Sequence, residues 1–325
     1  MKHLTILVPN GENNLSSIVG TYKIISRANA YWRDAGKTEP FSINLAGLSS
    51  HVDFYGGLFT AHPNQSLSDI AKTDLIVVPS LNHNYEKAIA CNTEMVDWIG
   101  AQYRKGTCVA SICTGAFLLA AAGILDGVSC STHRSAAEEL KRRYPKVNLQ
   151  GHQLITDEQG IYTNGGAYSF LNLILYLVEK YYDRETAIFC SKVFQIDMDR
   201  NSQSVFMIFN GQHAHQDEMV KKAQLQIEHK LNEKLSIEQL AAQFAVGRRN
   251  FDRRFIKATG NTPIEYTQRV KVEAAKKAFE TSRKTINEVM YEVGYADVKA
   301  FREIFRRITG LSPLDYRNRF NRGLA

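Results

Sequence analysis

The chain has 325 residues and is 44% hydrophobic, enough to bury at least one full core, and its length corresponds to about two domains. Its net charge of +7 is unevenly placed: from Glu218 onward 22 Lys and Arg face 13 Asp and Glu, a net +9, which leaves −2 for residues 1–217. No stretch approaches the roughly 18–20 apolar residues of a membrane span, and the apolar run of about five residues before Pro9 is too short for a signal peptide, so no membrane partner is expected and a cytoplasmic chain is.

In chain order, the apolar runs "LTILVP" (4–9), "FSINLAGL" (41–48), "DLIVVP" (74–79) and "TCVASI" (107–112) read as short buried strands. Helical stretches around 17–34, 94–105, 114–122 and 134–143 alternate with them. Strands that are apolar throughout, alternating with helices, predict an α/β fold: a doubly wound, mostly parallel sheet covered on both faces. Ligands bind such sheets at the ends of the strands. One strand end stands out, "VASICTGAFLLAAAG" (109–123), where the strand stops at Cys113, Thr-Gly turns sharply and a helix begins. That is the shape of a nucleophile elbow. A helix N-terminus favours thiolate and would lower the pKa of Cys113; the other reading is a small buried hydrophobe. The remaining cysteines, Cys91, Cys108, Cys130 and Cys190, complete an odd, scattered set without CxxC or Cys/His spacing. Such a set fits reduced thiols and offers no metal site. No cofactor is expected.

Residues 195–217, "QIDMDRNSQSVFMIFNGQHAHQD", are polar with one short apolar island at 205–209. They read as a connection, giving a division into residues 1–196, a linker at 197–217 and a second domain at 218–325.

The second domain repeats itself. "FIKATGNTPIEY" (255–266) and "FRRITGLSPLDY" (305–316) share Phe, Thr-Gly, Pro and Tyr in register, and Phe251 and Phe301 keep the same interval. Ser236-Ile-Glu-Gln239 and Thr285-Ile-Asn-Glu288 read as capping boxes that open two short helices. Each is followed by a small-residue turn, "AVG" (245–247) or "GYAD" (294–297), and then by a cation-rich helix, "RRNFDRRFIKA" or "VKAFREIFRRI". Helix, tight turn and cationic helix describe a helix-turn-helix, here present twice. The Phe pairs at i, i+4 form a buried stripe and leave the Arg and Lys faces outward. Thr-Gly ends each helix and Pro263 or Pro313 starts the next. Ile264 to about Ser282 reads as one helix; nineteen residues span about 28 Å, close to the roughly 34 Å between successive major-groove faces. One chain can therefore set two recognition helices in neighbouring grooves, and double-stranded DNA is the expected partner of the basic end.

Residues 218–325 resemble the DNA-binding domain of the AraC/XylS family of transcriptional regulators, most specifically in "GY"…"FREIFRRITGLSPLDYR". The resemblance implies base-reading side chains near the start of each second helix: Arg248, Arg249, Asp252 and Arg253 in the first unit, Val298, Lys299 and Arg302 in the second. Asp252 is equally placed to pair with a neighbouring Arg. Glu303 stands where many members of that family carry Arg. Residues of about 4–196 resemble the PfpI-like branch of the class I glutamine amidotransferase-like superfamily, more narrowly the sensor half of GlxA-type regulators. "ICTGAFLLAAAGILDG" (112–127) is similar to that group's elbow, "STHR" (131–134) to its Thr-His element and "TNGGAYS" (163–169) to its glycine turn.

These resemblances imply a flavodoxin-like sheet followed by an all-α duplicated helix-turn-helix domain. They also imply a ligand pocket at Ile112, Cys113, Thr114, His133 and Lys23. His133 is equally well read as a helix-start or surface residue. Enzymes of the superfamily pair the elbow Cys with an acid from the first helix. Aligned on that helix, Lys23 falls at the acid's place, Ser17 replaces a common Asp, and "PSLNHN" (79–84) lacks the Gly-Gly that helps build an oxyanion site. Lys cannot serve as a carboxylate base, so no catalytic residue is assigned. The expected function is a transcription factor with a non-catalytic sensor that takes a small-molecule effector, dimerises, or both, with RNA polymerase a further partner. The alternatives are a Cys-dependent hydrolase, amidase or glyoxalase-like enzyme with an accessory DNA module, and a DNA-binding protein whose first domain only dimerises.

Overall fold

A computed structural model describes residues 1–198, 204–232 and 236–321. The chain divides into two units, Met1–Gln203 and Ser204–Ala325. The first is built on seven strands: β1 (Lys2–Val8), β2 (Phe41–Gly47), β3 (Gln65–Ser66), β4 (Leu75–Val78), β5 (Cys108–Ile112), β6 (Ile155–Glu158) and β7 (Ile161–Asn164). Their order in the sheet is β6-β7-β5-β4-β1-β2-β3. Every neighbouring pair is parallel except the β6–β7 hairpin. The order reverses between β1 and β4, so the crossovers run to both sides, and the sheet is doubly wound as the alternating pattern predicts.

Helices α1 (Leu15–Asp34), α2 (Tyr85–Ala90), α3 (Thr93–Arg104), α4 (Ala116–Ala121), α5 (Arg134–Arg143), α6 (Phe170–Tyr181) and α7 (Arg184–Phe194) belong to the same unit, together with two small two-stranded ladders, Val52–Phe54 with Phe59–Ala61 and Ser129–Cys130 with Asn148–Leu149. Strand side chains alternate between the two faces. Leu4, Ile6, Leu75 and Val77 join a core with α1, α6 and α7. Leu7, Ile76, Val78 and Val109 join another with α3 and α4. Both faces are covered, which is why the central strands carry no polar stripe. Among the described residues, no helix is long and apolar enough to cross a membrane.

The second unit contains α8 (Glu218–His229), α9 (Ile237–Gln243), α10 (Arg248–Thr259), α11 (Pro263–Thr281), α12 (Ile286–Glu292), α13 (Val298–Thr309) and α14 (Pro313–Phe320). Its two cores repeat one another. Phe251, Phe255 and Tyr266 fill the first and Phe301, Phe305 and Tyr316 the second, all fully or nearly fully buried. Tyr266 donates its hydroxyl to Glu228, Tyr316 to Glu280. Thr259 and Thr309 each donate to the Phe carbonyl one turn back and accept the backbone N–H two residues on. Gly260 and Gly310 end α10 and α13 with φ of 70° and 81°, a conformation that glycine adopts without a Cβ penalty. Each residue of the repeated phrase therefore has one structural task, performed twice.

The copies differ at the turn. Four residues separate α9 from α10, with Ala245 at φ 53°; five separate α12 from α13, with Gly294 at φ 74°. The Thr285–Glu288 capping box is complete, whereas Ser236 accepts from Gln239 N–H in the first copy. Residues 204–217, expected within a linker, instead pack on this unit: Val205 and Met207 are buried, Phe209 joins the first core and Asp217 caps α8. The apolar island supplies the buried surface that a free linker would leave in water.

Candidate functional site

In the first unit, β5 delivers Cys113 into a tight turn. Its φ is 55°, strained for a residue with a Cβ, and residues 113–115 form a 3₁₀ turn before α4. Gly115 is required there, because a Cβ would lie 2.6 Å from the Pro79 carbonyl oxygen and 3.0 Å from that of Val78. The three segments singled out by sequence converge on this turn. Asn164 Oδ1, from "TNGG", accepts the Cys113 N–H at 3.1 Å, and Thr132 Oγ1, from "STHR", donates to the Cys113 carbonyl at 2.9 Å. Thr114 Oγ1 donates to the Leu81 carbonyl at 2.6 Å and lies 2.9 Å from Ser80 Oγ. Cys113, Ile112 and Thr114 are all buried.

Two expectations are corrected. Burial pushes the Cys113 thiol above its ordinary pKa, outweighing hydrogen bonds from the Ser80 and Thr114 hydroxyls and from the backbone at Thr114 and His133. None of these groups is a carboxylate. A 3₁₀ turn leading to a six-residue helix supplies a weak dipole, so desolvation prevails. Lys23, expected beside the thiol, is exposed on α1. The α1 residue that reaches the elbow's neighbour is Ser17, whose Oγ donates to the Asn14 carbonyl at 2.7 Å and accepts the Ser80 N–H at 3.2 Å.

His133 caps α5 through Nδ1, which accepts the Ser135 N–H at 3.3 Å. It is half-buried, and burial together with the neighbouring His83 holds its pKa below the usual imidazole value. It is thus a helix-start residue whose backbone also faces the thiol. The groups around the buried thiol are thus the hydroxyls of Ser80 and Thr114 and the backbone at Thr114 and His133, and the His133 ring is engaged at the start of α5 instead. No cluster of three or more His, Cys, Asp or Glu among the described residues is arranged to hold a metal ion.

In the second unit, Arg249 and Arg253 are exposed on α10, and Lys299 and Arg302 on α13. Arg253 donates to Asn250 Oδ1 at 3.0 Å, which sets the two side chains next to each other on the outer face. Arg248 and Asp252 are engaged with one another: Arg248 Nε reaches both carboxylate oxygens at 2.9 Å, and its Nη1 pairs with Glu238 of α9 at 2.5 Å. Val298 is half-buried against the second core. Arg254 forms a fork with Asp217 at 2.7 and 2.8 Å, tying α10 to the start of α8. Sequence reasoning missed Asn250 and the Glu238–Arg248 pair; an Asn within the first turn of a cationic helix was the only available signal.

Residues 20–180 match the DJ-1/PfpI family, and residues 240–319 match a helix-turn-helix domain family. The chain therefore joins a DJ-1/PfpI-family domain to an AraC-type helix-turn-helix domain. It is similar to the HTH-type transcriptional regulator GbdR of Pseudomonas aeruginosa, 26% identical over 69% of this chain and 61% of that protein, so the match spans less than two thirds of its length. The HTH-type transcriptional regulator GlxA of Rhizobium meliloti is 24% identical over 66% of this chain and 67% of its own. A solved ThiJ/PfpI family protein from Pseudomonas syringae shares the first unit's fold, with a TM-score of 0.51 at 16% identity, covering 61% of this chain and 76% of that one.

Proposed function

We propose that this chain is a sequence-specific, DNA-binding transcriptional regulator that works in the cytoplasm. Its first unit binds a small polar effector at the Cys113 turn and forms a homodimer. The observation that carries the reading is the duplicated helix-turn-helix on one linking helix: α11 has 19 residues, about 28 Å, which suits two neighbouring major grooves. Arg249 and Arg253 on α10 and Lys299 and Arg302 on α13 are the side chains assigned to DNA. Arg forks onto guanine O6 and N7, and Asn250 beside Arg253 suits adenine. Arg248 and Asp252 hold the recognition helix together and act on DNA through that order. RNA polymerase is the further partner such a regulator addresses.

A hydrolase built on the same fold needs a base for its nucleophile. Here the thiol is held neutral, Lys23 is exposed, and the α1 side chain at the elbow is the hydroxyl of Ser17. This supports effector recognition over catalysis. Sequencing the genomic fragments bound by the protein in its own cell, with transcript levels after loss of its gene, tests the proposal. It expects one shared motif upstream of the genes whose transcripts change; fragments without a common motif would contradict it.

A further inference from the structure

Residues 204–212 run across both helix-turn-helix copies. The side chains of Ser204 and Val205 lie beside Gly310 at the end of α13. Phe206 meets Phe320 of α14 edge-on at 6.1 Å, and the Arg319 guanidinium stands 5.1 Å over its ring. The Met207 carbonyl accepts from Lys276 Nζ of α11, and the Phe209 N–H donates to Glu273 Oε2 of the same helix at 3.0 Å. Lys276 and Glu273 pair with each other at 2.8 Å. The Phe209 ring then packs edge-on against Tyr266 at 5.2 Å, and Gln212 bonds to Gln224 of α8 and to Asn261 after α10. One segment, a 3₁₀ turn at Ser204–Phe206 followed by irregular chain, thus touches the second copy, the linking helix and the first copy in turn.

Lys276 is the telling residue, because it is only 3% exposed. An ammonium group is buried at a cost that its hydrogen bonds must offset, and a helix that served only as a connector would carry an apolar residue there. Buried ion pairs contribute little net stability; their best-attested use is to fix one register. The segment is not simply core, since it lies beside a groove of about 820 Å³ along α11. Phe206 is 46% and Ile208 68% exposed.

We propose that residues 204–212 form a brace that holds the two helix-turn-helix copies at one spacing and phase on the duplex, with Phe209, Glu273 and Lys276 as its positioning residues. The inference rests on the DNA-binding reading above. The test uses the full-length chain as wild type, Lys276→Met and Phe209→Ala. The duplex is one selected from a random pool by the wild type, rebuilt with one to four base pairs inserted between its two halves. The wild type is expected to lose about 100-fold in affinity on insertion. Each variant should bind the original spacing about ten-fold more weakly and lose only about five-fold on insertion, because a loosened linkage lowers the effective concentration of the second copy yet tolerates other spans. The comparison is of each protein with its own tightest site, so a partly unfolded sample does not change the profile. Variants that keep the wild-type dependence on spacing would overturn the brace and leave α11 alone to set the span. Variants weakened equally at every spacing, with the wild-type dependence retained, would reduce these residues to structural ones. A wild type that selects no sequence would remove the DNA-binding reading and the brace with it.

Discussion

Gly294→Ala tests the packing of the second helix-turn-helix. Gly294 has φ 74°, and a Cβ there would lie 2.6 Å from the Leu231 carbonyl oxygen, 2.7 Å from Lys271 Nζ and 3.1 Å from the Asn232 carbonyl carbon. Lys271 can swing its ammonium aside, although it would lose its 3.2 Å hydrogen bond to the Gly294 carbonyl. The Leu231 carbonyl belongs to the backbone beyond α8 and cannot give way so cheaply. The left-handed conformation costs a residue with a Cβ about 1–2 kcal/mol, and overpacking against backbone adds about 1–3 kcal/mol. A loss of about 2–5 kcal/mol should lower the melting temperature of a unit this size by about 10–20 °C. The opposite change, Ala245→Gly at φ 53° in the first copy, relieves the same strain and adds glycine's own entropy cost, a net gain of about 0.5–1 kcal/mol. Calorimetry of the full chain, with peptide-resolved hydrogen exchange to locate the change within residues 204–321, measures both. An unchanged transition for Gly294→Ala would refute the reasoning, since it would mean that neither the backbone strain nor the Leu231 contact exists.

Three further outcomes are expected. At neutral pH the exposed Cys91 should be alkylated first and buried Cys113 far more slowly, by mass spectrometry of labelled peptides; fastest labelling at Cys113 would contradict the burial argument. The first unit should lose stability above about pH 9. Burial raises Cys113, takes Cys190 to about 11 and Cys130 to about 12, so the folded thiols stay neutral while the unfolded ones ionise; denaturation midpoints against pH report this, and a flat profile from 9 to 11 would oppose it. Arg253→Ala should cost about 1–3 kcal/mol in DNA binding and relax preference at one base pair, whereas Arg248→Ala should chiefly lower thermal stability by loosening α9 from α10; equal loss of affinity on specific and random duplexes would make Arg253 a phosphate contact.

Much of this could be read from the chain. Phe251, Phe255, Tyr266 and their copies gave both the repeat and its core, because each phrase encodes a complete local motif: a stripe, a glycine stop and a proline start. The elbow was legible for the same reason, and "STHR" and "TNGG" were rightly grouped with it. The ionisation of Cys113 was not, since it depends on how deeply the folded chain buries the turn and on partners such as Ser80 and His133 that are distant from it in sequence. Lys23 was misplaced by helical phase. Six residues separate it from Ser17, which at 3.6 residues per turn carries it to another side of α1. The brace had no sequence signature: its apolar island at 205–209 lies inside a polar stretch, 195–217, that reads as a connection, and the buried Lys276 sits in "AAKKAFE", where either lysine could have faced water. The β6–β7 hairpin carries Thr163 and Asn164 in fully buried positions, which hid an inner strand, second from the sheet edge, behind polar letters.

The most direct measurement is the affinity of the intact chain for a duplex it selects from a random pool, against a scrambled duplex of equal length and composition, over a range of salt. The account expects the selected duplex to bind about 1,000-fold or more tightly, both affinities to fall steeply with salt, and the protected stretch to extend over two successive major grooves. Equal affinity for the two duplexes, or protection of a single groove, would contradict it.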